Sequence, residues 1–136
     1  MELKFVVVAD TANVSAEGKL NIAGEFNSFH ASAVPMIWPQ FTIVARLEAP
    51  TVEGEQHAAQ FKIQDDDGKS IFESPPLPIK FGATGKGVPL RATMMMNLVG
   101  IAFPKFGDYG VHIFVDGVRR GDVTLYVRQV TVPPRK

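Results

Sequence analysis

Cysteine is absent from this 136-residue chain, so disulfides, thiolate nucleophiles and cysteine-based zinc sites are excluded from the outset. Net charge is absent as well: fourteen Lys and Arg balance fourteen Asp and Glu. A neutral chain has no global attraction for nucleic acid or for an anionic membrane, and neither is expected as a partner. Long apolar runs are missing too. The run Phe5-Val6-Val7-Val8-Ala9 stops at Asp10, without the basic start, longer apolar stretch and cleavage site of a signal peptide. The uncharged stretch from Ala92 to Pro104 contains Asn97, Gly100 and Pro104 and is too short to cross a bilayer as a helix. The expected location is the cytoplasm, or a virion if a phage encodes the chain. The sequon Asn13-Val14-Ser15 then has no use.

Helical periodicity is the remaining absence. No segment carries apolar residues at helical spacing over three turns, and Pro35 to Pro39 could hold one short turn at most. What is present is period two. Phe41, Ile43, Ala45 and Leu47 alternate with Thr42, Val44, Arg46 and Glu48; His57, Ala59, Phe61 and Ile63 form a second such row. Val111, Ile113 and Val115 form a third. Turn chemistry separates the runs at Glu17-Gly18, Glu53-Gly54, Asp67-Gly68, Asp116-Gly117 and Arg120-Gly121.

Strands are predicted over about 3–9, 19–32, 40–48, 56–64, 69–73, 77–81, 90–102, 109–116 and 122–130, with a bend or bulge near Gly24 in the long second one. Some 46% of the residues are hydrophobic, enough for a packed core. The expectation is one domain over 1–131 and a short Pro-rich basic tail over 132–136. The stretch Phe106 to Gly117 places Tyr109 at the entry of the penultimate strand. There a hydroxyl bonded to nearby backbone is the corner device of immunoglobulin-like sandwiches. The fold class expected is therefore all-β, an immunoglobulin-like antiparallel β-sandwich of seven to nine strands.

Ala9-Asp10-Thr11-Ala12-Asn13-Val14, followed by Gly18 to Phe26, resembles the opening of a bacterial and phage family of unknown function whose members are single β-sandwich domains. Pro39-x-Phe41, Arg46-Leu47, Asp66-Asp67-Gly68 and Gly107-x-Tyr109 extend the resemblance over most of the chain. It implies a fold and no activity, substrate or catalytic residue. Read from the residues alone, Asp10 and Asn13 suit a turn after the first strand, Gly18 closes a hairpin, and Gly24 permits a bulge or close approach.

Candidate chemistry is sparse. Asp65-Asp66-Asp67-Gly68 invites calcium, yet an EF-hand aligned on Gly68 places Ile63 at its first ligand and Ser74 at its last. An acidic hairpin tip is expected instead. Gly82 to Gly87 has the composition of a phosphate loop, but Lys80 and Gly87 stand where a Gly and a Ser or Thr are required. His30, His57 and His112 form no ligand pair, and His57 falls on the apolar face of its strand. No nucleophile elbow and no paired acid and base stand out, so no enzyme, metal or cofactor is expected.

Two features point to protein contact. Alternation places Met94, Met96 and Leu98 on one face of their strand, and Met95, Val99, Ile101 and Phe103 on the other. A strand that is apolar on both faces is either covered twice or meets a partner. The last hairpin turns Phe114 and Tyr126 outward among Arg119, Arg120 and Arg128, the composition of interface hot spots. Met95, Val99, Phe114, Tyr126, Arg119, Arg120 and Arg128 are the candidate interface.

The expected function is a non-enzymatic protein-interaction module that self-associates. The alternatives are a phage decoration or tail-associated component, and a small-ligand or carbohydrate binder using Trp38 and Tyr109 as platforms. Charge favours the first. Residues 1–74 hold five basic and eleven acidic side chains, a net of −6, and residues 75–136 hold nine and three, a net of +6. If those halves form spatial poles, they suit head-to-tail contact between copies.

Overall fold

The structure, a computed structural model, describes residues 1–51, 56–83 and 85–130. Among these there are ten strands and no helix: β1 (Glu2–Val14), β2 (Leu20–Phe26), β3 (Ser28–Ala31), β4 (Met36–Ala49), β5 (His57–Gln64), β6 (Ser70–Glu73), β7 (Leu77–Ile79), β8 (Leu90–Phe103), β9 (Gly107–Val115) and β10 (Val118–Gln129). They form a four-stranded sheet, ordered β2-β1-β4-β8, and a six-stranded sheet, ordered β3-β10-β9-β5-β6 with β7 also on β5. One core lies between the sheets. Phe41, Ile43, Ala45, Leu47, Met94 and Leu98 enter it from the four-stranded sheet, and Phe61, Ile63, Val111, Ile113, Val115 and Leu125 from the other. The predicted Glu53-Gly54 turn and the 132–136 tail lie outside the described residues.

The tenth strand arises because the predicted strand 19–32 divides at Asn27. β2 pairs with β1, whereas β3 crosses to the other sheet and runs parallel to β10. Phe26 and Phe29 flank the crossing, with ring centroids 5.1 Å apart. Its mark in the sequence is a slip of phase: apolar residues fall on even positions through Phe26 and on odd ones from Phe29. The break therefore falls at Asn27 and not at Gly24. Gly24 instead holds a left-handed φ of 72°, and a Cβ there would meet the Asp10 carboxylate. The predicted turn at Asp10 and Asn13 is also displaced. β1 continues to Val14, Asn21 Nδ2 donates to Asn13 Oδ1 across the ladder at 3.1 Å, and the chain turns over Ser15 to Gly18.

A second correction concerns β8. Met94 and Leu98 point inward and Met95 and Val99 outward, as alternation requires, but Ile101 and Phe103 rejoin the core. The phase inverts at Gly100, whose φ is 68°. On β4 the same inversion falls at Pro39, so that Met36 and Trp38 point inward although Phe41 and Ile43 do so too. The two residues stand opposite each other, between the pairs Trp38–Ile101 and Gln40–Val99.

The opposite charges of the two halves of the sequence do not separate in space. Strands from the acidic first half occur in both sheets, and the basic second half supplies β8 to one and β9 and β10 to the other.

Gly100 gives a clean test of the inversion. A Cβ built there meets nothing within 4 Å, so Gly100→Ala changes only the backbone preference. Holding a left-handed conformation should cost about 1–2 kcal/mol, read as a lower urea midpoint with an unchanged slope.

Candidate functional site

Each sheet has an outer face, and the two differ in kind. On the six-stranded sheet the outward aromatics and cations pair with one another or with acids. Lys62 Nζ lies 4.7 Å from the Phe114 ring centre, and the Arg128 guanidinium 5.3 Å from that of Tyr126. Arg128 also bonds Asp108 at 2.6 Å. Arg119 pairs with Asp122 at 3.1 Å and donates through Nε to His112 Nδ1 at 3.0 Å. Burial, with Arg119 adding to it, holds the His112 imidazole below its usual value, which suits its role as acceptor. Five of the predicted interface residues belong to β9 and β10: Phe114, Tyr126, Arg119 and Arg128 on this self-satisfied face, and Arg120 at the register shift between Arg119 and Gly121.

The four-stranded sheet is different. Met95 and Val99 project outward from β8 at 38% and 71% exposure, and Ile37 on β4 is 64% exposed. The pairs Val7–Val44 and Val44–Met95 draw an apolar stripe across three strands. Val44 is fully buried in the stripe, although its row on β4 faces away from the core. Polar groups border it. Gln40, Thr42 and Asn97 bond one another on one side, and Arg46 donates to Thr93 Oγ1 at 2.8 Å on the other. Ile37 and this stripe were missed from the sequence. Their signal was an apolar residue, Val44, in the polar row of its strand, and five successive apolar residues in β1.

The stripe ends on β8, which is the edge of its sheet. Arg91 is tied off there: its N–H donates to the Gly82 carbonyl at 3.0 Å, and its carbonyl accepts from Gly82 N–H at 2.8 Å. Backbone groups alternate in direction along a strand, so those of Thr93, Met95, Asn97 and Val99 point to the same side as those of Arg91. No backbone partner meets them among the described residues.

Two other clusters are internally closed. Lys105 Nζ reaches Asp66 at 2.8 Å and Asp67 at 3.0 Å, so an ammonium occupies the centre of the acidic hairpin tip. That bond lowers the Asp66 carboxyl and raises the Lys105 amine. Tyr109, proposed above as a ligand platform, is instead buried. Its hydroxyl donates to the Lys105 carbonyl at 2.7 Å and accepts from Lys105 N–H at 3.2 Å, and burial pushes the phenol up. Trp38 is likewise packed, 4.6 Å from the Phe29 ring centre.

A groove of about 750 Å³ lies beside β7, lined in part by His57, Pro76, Pro78, Lys80 and Asp116. Here the Asp116 carboxylate accepts from His57 Nδ1 at 2.6 Å and from Ala58 N–H at 2.9 Å, fastening the β9–β10 turn to the start of β5. The described lining offers no hydroxyl for the imidazole to activate.

The chain belongs to the family of unknown function DUF6941, which matches residues 4–128. No curated protein matches it in sequence. Among solved structures, the Pseudomonas fluorescens alkylpurine DNA glycosylase AlkC bound to DNA containing an abasic site analog is similar at 13% identity and a TM-score of 0.46. The similarity covers 90% of this chain and 30% of that one, so the chain spans under a third of that protein's length. So slight a likeness carries neither fold nor chemistry across.

The Asp116 contacts set a pH dependence. The bond to His57, then that to Ala58, holds this carboxyl below the ordinary 3.8. The stability they contribute is present above that value and lost as pH falls through the folded-state value. Asp116→Asn keeps a residue tolerant of the φ of 51° and removes the charge. The gap in urea midpoint between wild type and variant should be full well above pH ~3.8 and narrow as pH falls below it. A constant gap would refute this account.

Proposed function

We propose that this member of the DUF6941 family is a non-enzymatic interaction module, an immunoglobulin-like sandwich that acts by associating with copies of itself through the rim of its four-stranded sheet. The Tyr109 corner, bonded to backbone four residues upstream, supports the immunoglobulin-like assignment. The observation that carries the functional reading is β8, a fourteen-residue edge strand whose one charged residue is Arg91. Natural sheets guard their edges with lysine, proline or inward charge. From Ala92 to Phe103 this strand has none of these and exposes Met95 and Val99.

Two contrasts favour the rim over the alternatives. Phe114, Tyr126, Arg119 and Arg128 of the other sheet are engaged with their own neighbours, so covering them would gain little that they lack. The ligand-binding alternative loses both of its aromatic platforms, because Tyr109 is buried and Trp38 is packed.

Light scattering across a concentration series tests the proposal. The mean mass should climb above the monomer's 14.8 kDa in the wild type. It should stay there in the double variant Met95→Lys with Val99→Lys, whose like charges weaken association by roughly tenfold or more. Phe114→Glu should associate like the wild type. A wild type that remains monomeric at millimolar concentration would end the proposal.

A further inference from the structure

We propose that the open edge pairs with the same edge of a second copy, β8 antiparallel to β8, about a twofold axis passing between the two Met96 residues. The inference rests on the interaction reading above and gives it a register. Gly82 closes the unpaired span at one end by taking Arg91, and Gly100, at φ 68°, ends it at the other, where the alternation of the strand inverts. Between them the outward backbone belongs to Thr93, Met95, Asn97 and Val99, a set symmetric about Met96.

A second copy matches this span length for length, since its own is closed at the same two ends. An antiparallel copy centred on Met96 sets Thr93 opposite the second copy's Val99, and Met95 opposite its Asn97. Each opposed pair exchanges two hydrogen bonds, so all four outward residues are satisfied in both chains. Sliding the register by two residues, to place Met95 on Met95, satisfies only three per chain and leaves Val99 facing the occupied Arg91. A strand from a different protein would need no such symmetry. Charge agrees: the span is uncharged, so two copies meet without repulsion.

Side chains follow the same register. On the core side, half-buried Met96 would meet its counterpart at the rim of the core, and Met94 would meet the second copy's Leu98. The two four-stranded sheets would then run on as one of eight strands, with the stripe of Val7, Val44 and Met95 facing outward from each half. The seam is small. Seven residues at about 3.4 Å each, in a layer ~10 Å deep, have a section of roughly 240 Å². Stable complexes bury about 800 Å² per partner, so this pair should form only at high concentration.

The cysteine-free chain allows a direct test by single-cysteine trapping under mild oxidation, on the full chain at high concentration. Met96→Cys places its two copies at a non-hydrogen-bonded pair, with Cα atoms about 4.5 Å apart, within disulfide range. A mixture of Met95→Cys and Asn97→Cys chains places them about 5.5 Å apart. Met95→Cys alone lies two residues out of register, beyond the ~7 Å that a disulfide can bridge.

The first two samples should form covalent dimers at least tenfold faster than the third. Positions 95 and 97 are exposed, so the mixture keeps the test valid even if Met96→Cys perturbs packing. Equal rates in all three samples, or Met95→Cys fastest, overturn the register. Equal rates are also what an edge reserved for a different protein's strand would give. If scattering still shows the wild type associating, this inference alone falls; if the wild type is monomeric throughout, the interaction reading falls with it.

Discussion

Pro39 and Gly100 face each other across the β4–β8 ladder, and the side-chain phase of both strands inverts there. Proline has no amide to give a ladder and glycine has no Cβ to resist a left-handed backbone, so the inversion falls on the two residues that tolerate it best. Much of the architecture depends on this. Beyond the inversion, Met36, Trp38, Ile101 and Phe103 turn inward to meet Phe26 and Phe29 where the chain crosses between sheets. Before it, from Ala92 on, β8 is an uncharged edge whose outward backbone groups have no partner among the described residues. One constraint thus closes the core at one end of the strand and leaves the rim open along the rest.

Several polar side chains elsewhere are paired. Lys105 fills the acidic hairpin tip, Asp116 fastens β5, Arg119 and Arg128 have acids beside them, and the Tyr109 hydroxyl both donates and accepts. Each exposed pair contributes little on its own. Their joint effect is to leave the outer face of the six-stranded sheet with few unmet demands. Against that background the proposed contact rests on a run of outward peptide groups beside exposed Met95 and Val99. Hydrogen bonds that a lone chain makes only to water can there be made to protein, together with apolar burial.

Most of the fold was legible in the sequence because period two is a direct consequence of strand geometry. The rows through Phe41, Phe61 and Val111 needed only alternation and turn residues to be placed. Tyr109 was legible from its position at the entry of the penultimate strand. What stayed hidden were features that alternation cannot encode. The division at Asn27 shows only as a slip of phase between Phe26 and Phe29, which does not say that the chain changes sheets, and the inversion at Gly100 carries Ile101 and Phe103 inward against the pattern. The candidate surface was half legible. Met95 and Val99 stood out because their strand is apolar on both faces, whereas Phe114 and Tyr126 looked similar until Lys62 and Arg128 were seen over their rings. Which strand forms an edge is a property of pairing order, and no single strand's residues carry it.

Residue-resolved amide hydrogen exchange on β8, at low and at high protein concentration, tests the central claim most directly. The amides of Met94, Met96 and Leu98 point into the ladder with β4 and should be protected at both concentrations. Those of Thr93, Met95, Asn97 and Val99 should exchange rapidly when dilute and become protected together as the chain is concentrated. Protection of these four amides already in dilute solution, or none at any concentration, would contradict an edge that is open in one chain and closed by another.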